Sequence, residues 1–403
     1  MPACVRTAVD LRFPAELARL RRERGLSLRA LAGKLYQSKT LLHELETGRA
    51  RPTVEIAARL DEALDAGGRL SGMVRRLTAQ VPEAAPGNEL KAWELARRVE
   101  ASDVGTETVE RLERAVDELA GAYPTTRPAE LLTAVRAYLA YLPRLLDGRA
   151  TLTTRRRLIV AGGWLALLRA TVHIDLRQLA AAEAYLQTAD QLGGHAEHLE
   201  IRAWCRETRA WQAVTCGDYR TALGLAQQAQ AIAPRGSSAR IQSVAQEGRV
   251  WARIGDVRRT RRALAELDRL TGPLPVPDRP EHHYRYDPSK AAAYTATTLA
   301  WAGDPAAEEH ARAVLAELDP AGDGGARPRR VASARLDLGL ALVAADEPEE
   351  AAAQAEVAIV SGRVVPSNWW RATELMAAVE RSGVRRALDL REAYETYRPV
   401  GVA

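Results

Sequence analysis

The chain has 403 residues, 47% of them hydrophobic and 27% charged, which is the balance of a polypeptide that folds around a core and is long enough for two or three domains. Its cysteines, Cys4, Cys205 and Cys216, are odd in number and far apart, so neither a disulfide framework nor a thiolate zinc site is indicated, and free thiols packed as small apolar groups are expected. No run of uncharged apolar residues reaches membrane-spanning length and the first residues lack a signal-peptide core, so a cytoplasmic protein without a membrane partner is expected.

Charge is unevenly spread. Residues 1–80 carry fifteen Arg or Lys against nine Asp or Glu, whereas the other residues carry 42 against 43. A basic module on a neutral body is the electrostatic footprint of a polyanion binder. Almost every long segment is rich in Ala, Leu, Arg and Glu with apolar residues at three and four, so the fold class is predicted as all-α. Three segments follow: 1–78 as the basic module, 79–90 as a linker around the Pro82 and Pro86 break, and 91–403 as a larger helical domain.

In the first segment the punctuation predicts helices at about 14–24, 27–34, 38–46, 53–64 and 69–77. Ser27, Ser38 and Thr53 stand as N-caps, and Gly25 and Gly48 as left-handed stops. Leu28, Leu31, Ala32, Leu35, Leu42 and Leu45 are spaced to bury one face of two crossing helices.

The run Ser27–Gly48 resembles the helix-turn-helix of the lambda-repressor/Cro group, the XRE family, through Leu31-Ala32, Ser38, Leu42, Leu45 and Glu46-x-Gly48. Tyr36 replaces the frequent turn glycine, Gln37 a small apolar residue, and Leu28 a frequent DNA-contacting glutamine. The resemblance implies that Lys39, Thr40 and His43 face the bases of double-stranded DNA, and that Ser27, Arg29, Ser38, Arg49 and Arg51 flank them near phosphates. The division makes physical sense, because base edges are read from the N-terminal half of a recognition helix and phosphates by cations and capping hydroxyls at its flanks. Glu44 either accepts from a cytosine amine or repels phosphate.

Beyond the break, helices are expected at Leu90–Val99 and Thr108–Ala122, then four to six helix pairs ending near Tyr397. Their turns share a signature: Gly217-Asp218, Gly255-Asp256, Gly303-Asp304 and Asp346-Glu-Pro, with proline-rich residues 271–280 and glycine-rich residues 321–326 as insertions. Residues 217–234 resemble half of a tetratricopeptide repeat, with Ala222 and Ala229 at its small positions and Pro234 at its end. Stacked pairs of this kind curve into a concave groove. The tryptophans at 204, 211, 251, 301, 369 and 370 are expected mainly in the core.

Trp93-Glu94, Gly162-Gly163-Trp164, His173-Ile-Asp175 and Pro280–Lys290 extend the resemblance to actinobacterial XRE-type regulators with a tetratricopeptide-like C-terminal domain. That resemblance implies transcriptional control, often with an effector. Within Pro280–Lys290, His282, His283, Tyr286 and Asp287 are candidate effector-binding residues. The same residues also suit a clamp between helix pairs. His282, His283, Asp287 and the nearby Glu281 are metal-capable types, with His310 on an adjacent helix, but no second helical His-x-x-x-His pair completes a site, so no metal is predicted.

Phosphate-loop, dinucleotide, zincin and nucleophile-elbow motifs are absent, so neither catalytic residues nor a cofactor is assigned. The expected function is a sequence-specific DNA-binding regulator acting as a homodimer, since one small head contacts few base pairs, with a small-molecule or peptide effector on the helical domain. The alternatives are a helical-repeat adaptor with weak non-specific DNA affinity, and an enzyme acting at His282, His283 and Asp287.

Overall fold

The computed structural model describes residues 7–10, 12–76, 100–278, 280, 282–322 and 327–399. The chain divides into two compact units, Met1–Glu94 and Leu95–Ala403. The expected linker 79–90, the helix Leu90–Val99, Trp93-Glu94, Cys4, Glu281 and most of the 321–326 insertion lie outside the described residues.

The first unit holds α1 (Phe13–Glu23), α2 (Leu28–Leu35), α3 (Lys39–Glu46), α4 (Val54–Leu64) and α5 (Arg69–Gly72). Each start after α1 has a chemical cause. Ser27 Oγ accepts from Ala30 N, Ser38 Oγ from Leu41 N and Thr53 Oγ1 from Ile56 N, and each such cap contributes about 1 kcal/mol. At the start of α5 the buried Asp61 carboxylate accepts from Leu70 N, Ser71 N and the Ser71 hydroxyl. Phe13, Leu17, Leu31, Leu42, Leu45, Leu60 and Leu70 form a single closed core.

The expectation of a fifth helix running to residue 77 is corrected. α5 stops at Gly72, and Val74–Arg76 (β2) pairs antiparallel with Thr7–Val9 (β1), Val9 opposite Val74. Val74 is buried in the core, and the ladder partner at the far end of the domain supplies the backbone hydrogen bonds that helix would otherwise have made. This ribbon is the one sheet among the described residues of an all-α fold.

The second unit is a coil of helical hairpins: α6 (Thr106–Ala122) with α7 (Pro128–Asp147), α8 (Leu152–Asp175) with α9 (Leu179–His195), α10 (Leu199–Thr215) with α11 (Tyr219–Ile232), and α12 (Ser238–Ile254) with α13 (Val257–Thr271). Then come α14 (Pro288–Ala302) with α15 (Ala307–Leu318), α16 (Pro328–Ala344) with α17 (Pro348–Val360), and α18 (Trp369–Arg381) with α19 (Ala387–Tyr397). Beyond α6 and α7 the described residues thus contain six pairs, against the four to six expected after the helix at 108–122, and the last ends at Tyr397. The first helices of successive pairs, α8 through α18 by even number, pack side by side as an inner layer.

Two kinds of turn join the helices. Gly217, Gly255 and Gly303 take left-handed φ values of 77°, 85° and 63°, and Asp218 and Asp256 then cap the following helix, as the signature requires. At Arg177, Glu197 and Asp346 the same conformation is adopted by residues with a side chain, so the glycine signal is missing. Close approach is handled by other glycines: a Cβ on Gly162 would lie 2.5 Å from the Leu142 side chain, and one on Gly163 3.0 Å from Ile201.

α8 is the central helix, and by length and composition it is long and apolar enough to cross a membrane, although its most apolar stretch is 78% buried in the array. Arg155, Arg156, Arg157 and Arg169 break its uncharged run, so no membrane span was expected there. Cys205 is buried and burial pushes its thiol up to about 12, whereas Cys216 is exposed, contrary to the expectation of packing. Trp204, Trp301 and Trp369 are buried, while Trp211, Trp251 and Trp370 are half-buried.

Candidate nucleic-acid interface and the cavity of the helical array

α2 and α3 meet through Leu31, Leu35, Leu42 and Leu45, which leaves the opposite face of α3 in solvent. Lys39, Thr40 and His43 all stand on that exposed face. Ser27, Arg29, Ser38, Arg49 and Arg51 are exposed around it, with the two serines engaged as caps. Among the described residues, Arg29, Lys39, Arg49 and Arg51 have no carboxylate ion-pair partner. Their charge is therefore hydrated and presented outward. Glu44 is half-buried, and its carbonyl accepts from Arg49 N and Ala50 N, which shapes the loop carrying Arg49.

α3 is also fixed from behind. Arg21 of α1 grips Glu46 bidentately, Nε to Oε1 at 2.5 Å and Nη2 to Oε2 at 2.9 Å, and Arg21 Nη1 donates to Leu26 O. Both side chains are largely buried, so Glu46 of the Glu-x-Gly sequence is an internal strut. Tyr36 closes α2 in the left-handed conformation, φ 51°, so the turn forms without the usual glycine and the ring is 91% exposed next to α3.

The four residues singled out in the 280–290 segment are dispersed. His283 N donates to Ala120 O, and its half-buried ring lies 4.1 Å from that of Tyr123 and lines a cavity of about 150 Å³ inside the second unit. His282 lies outside that cavity, with Nε2 3.3 Å from Asp117 Oδ1 while Nδ1 accepts from Tyr284 N. Tyr286 is buried against Ile241 and Leu267, and Asp287 caps α14 through Lys290 N. Lys290 Nζ donates to the carbonyls of His282, His283 and Arg285, and Arg285 pairs with Asp117, so the segment ties α6 to α14. Burial lowers both histidines, His282 to about 4 against the pull of Asp117 and His283 well below its ordinary value. His310 is exposed on α15, and among the described residues no three His, Cys, Asp or Glu side chains converge as metal ligands.

The cavity is lined from the inner helices and includes residues not anticipated from the sequence: Glu207, Gln242 and Arg249. Their one trace was a polar stripe on α12, Gln242, Gln246 and Arg249, at helical spacing on a face that turns out to be buried.

No curated protein matches the sequence. A solved structure, Bacillus thuringiensis PlcR in complex with the peptide PapR7 and DNA, is similar at 13% identity over 65% of this chain and 94% of that one, with a TM-score of 0.25. Residues 12–71 match the family model described as a helix-turn-helix domain, the span of α1 through α5. The first unit of this chain therefore carries a helix-turn-helix domain.

Proposed function

We propose that the protein is a sequence-specific DNA-binding transcriptional regulator of the cytoplasm, with residues 1–78 as its DNA-binding domain and the helical array, 91–403, as an effector-sensing and dimerising domain. The observation that carries the reading is α3, capped by Ser38, braced by Arg21 and Glu46, and presenting Lys39, Thr40 and His43 to solvent with unpaired cations on its flanks. Lys39, Thr40 and His43 read base edges. Ser27, Arg29, Ser38, Arg49 and Arg51 meet phosphates. The excess positive charge of the first 80 residues supports this assignment, because phosphate neutralisation supplies most of the affinity. A homodimer gives two such heads and a palindromic site.

The test is selection of bound fragments from genomic DNA by the purified protein, with the double variant Lys39→Ala, Arg49→Ala alongside. A shared motif, lost in the variant together with a shallower dependence of affinity on salt, is the expected outcome. Recovery without a motif and unchanged in the variant favours the adaptor reading instead.

A further inference from the structure

The cavity of the second unit is lined by many charged groups. Six cationic side chains line it, Arg249, Lys290, Arg329, Arg330, Arg363 and Arg371, against three carboxylates, Asp175, Glu207 and Asp337. Two of the carboxylates are committed: Asp175 pairs with Arg329 and Asp337 with Arg371. The third, Glu207, accepts from Gln242 Nε2 at 2.9 Å, and burial pushes its carboxyl up to about 7, well above the usual carboxylate range. A concave surface on which a buried cation is left without a carboxylate partner favours an anion.

Arg249 is such a cation. Its side chain is 8% exposed, and among the described residues no carboxylate pairs with it. One Nη donates to Gln246 Oε1 at 3.1 Å, the guanidinium lies 4.8 Å from the Trp301 ring and 5.0 Å from that of Tyr294, and Nε has no partner. A buried cation held between aromatic faces with a donor left over is an expensive arrangement unless something accepts from it. Two more cavity-lining residues leave buried donors unused, Trp204 at Nε1 and Arg371 at Nε. Trp204, Trp211 and Val314 supply apolar surface to the lining, the two indoles flat.

We infer that this cavity binds a carboxylate, anchored on Arg249, whose bearer is compact and presents a flat apolar body to Trp204 and Trp211. The guanidinium fork matches a carboxylate bidentately, and a cavity of about 150 Å³ has room for roughly a single aromatic ring. The inference rests on the proposal that the array senses an effector and supplies the chemistry of that effector. The same group reaches the cavity from two sources, a free aromatic acid or the C-terminus of a peptide.

The experiment uses the full chain without DNA and reads tryptophan fluorescence and thermal midpoint. The probes are benzoate against benzamide, and a tripeptide ending in Phe with a free against an amidated C-terminus. The expected result is a saturable response to benzoate, to the free-terminus peptide or to both, absent for the amides and lost in Arg249→Met. Which carboxylate responds identifies the source. Arg249→Lys keeps the charge in the fold but loses the fork, and weakens binding about tenfold, so the assignment remains testable if the Met variant fails to fold. Silence from both carboxylates, equal binding of the amides, or unchanged affinity in the Lys variant overturns it. DNA affinity with and without benzoate is measured separately: a carboxylate that binds through Arg249 and leaves DNA binding unchanged upholds the cavity assignment and refutes the effector reading.

Discussion

The two units handle charge in opposite ways. Around α3 the cations stand in solvent without carboxylate partners among the described residues, held in place by caps and by the Arg21–Glu46 strut behind them. In the helical array the important charges are inside, Asp175 with Arg329, Asp337 with Arg371, and Arg249 between aromatic rings. A hydrated cation costs little to keep unpaired and is available to any polyanion, with salt screening deciding how strongly. A buried one is kept only if its surroundings are arranged around it, and it then discriminates among partners. The first arrangement suits a long charged polymer, the second a small ligand.

The comparison breaks most decisively at a buried pair. Asp175→Ala leaves Arg329 charged and buried, so the second unit should lose about 3–5 kcal/mol in urea unfolding. A loss below about 1 kcal/mol would mean the interior charges are as solvated as those near α3. A smaller, graded effect is expected with pH. His282, His283, His198 and His173 are all lowered, by burial first, from the ordinary histidine value of 6.5. The unfolded chain therefore takes up protons that the folded one does not, and stability present above pH 6.5 is lost as pH falls towards 4. Glu207 acts in the opposite sense, because its carboxyl is raised by burial from 4.5 to about 7, and its contribution is lost as pH rises through that window. Four histidines outweigh one carboxylate, so the thermal midpoint should fall between pH 7 and pH 5, and more steeply in Glu207→Gln. A flat profile would contradict the burial of these rings. The smallest effect belongs to the first unit: Ser38→Ala removes the cap of α3 and should destabilise that unit by about 1 kcal/mol, with weaker DNA binding as the recognition helix frays.

Much of the first unit was legible because its instructions are local. Ser27, Ser38 and Thr53 cap the helices their positions announced, and Gly25 and Gly48 take the left-handed conformation. The β1–β2 ribbon was not legible, since Val74–Arg76 reads as the end of a helix until its partner some seventy residues earlier is known. In the array, turns built on Gly217, Gly255 and Gly303 were visible and those built on Arg177 and Glu197 were not, because a side chain in the left-handed conformation leaves no compositional trace. The cavity could not be read at all. Its walls come from residues as distant as Tyr123 and Arg371, and of the four residues chosen in the 280–290 segment only His283 reaches it.

Arg329, at the start of α16, donates to Tyr123 O just beyond α6 and to Asp175 at the end of α8, and Ser367 Oγ reaches Asp175 as well. Stacked hairpins ordinarily behave as a one-dimensional chain in which each unit feels only its neighbours and the ends fray independently. A clasp across 154 residues of sequence abolishes that independence. The array is then obliged to melt as one cooperative body, and to fold slowly for its helical content, because the contact that completes it must wait for the whole coil to close.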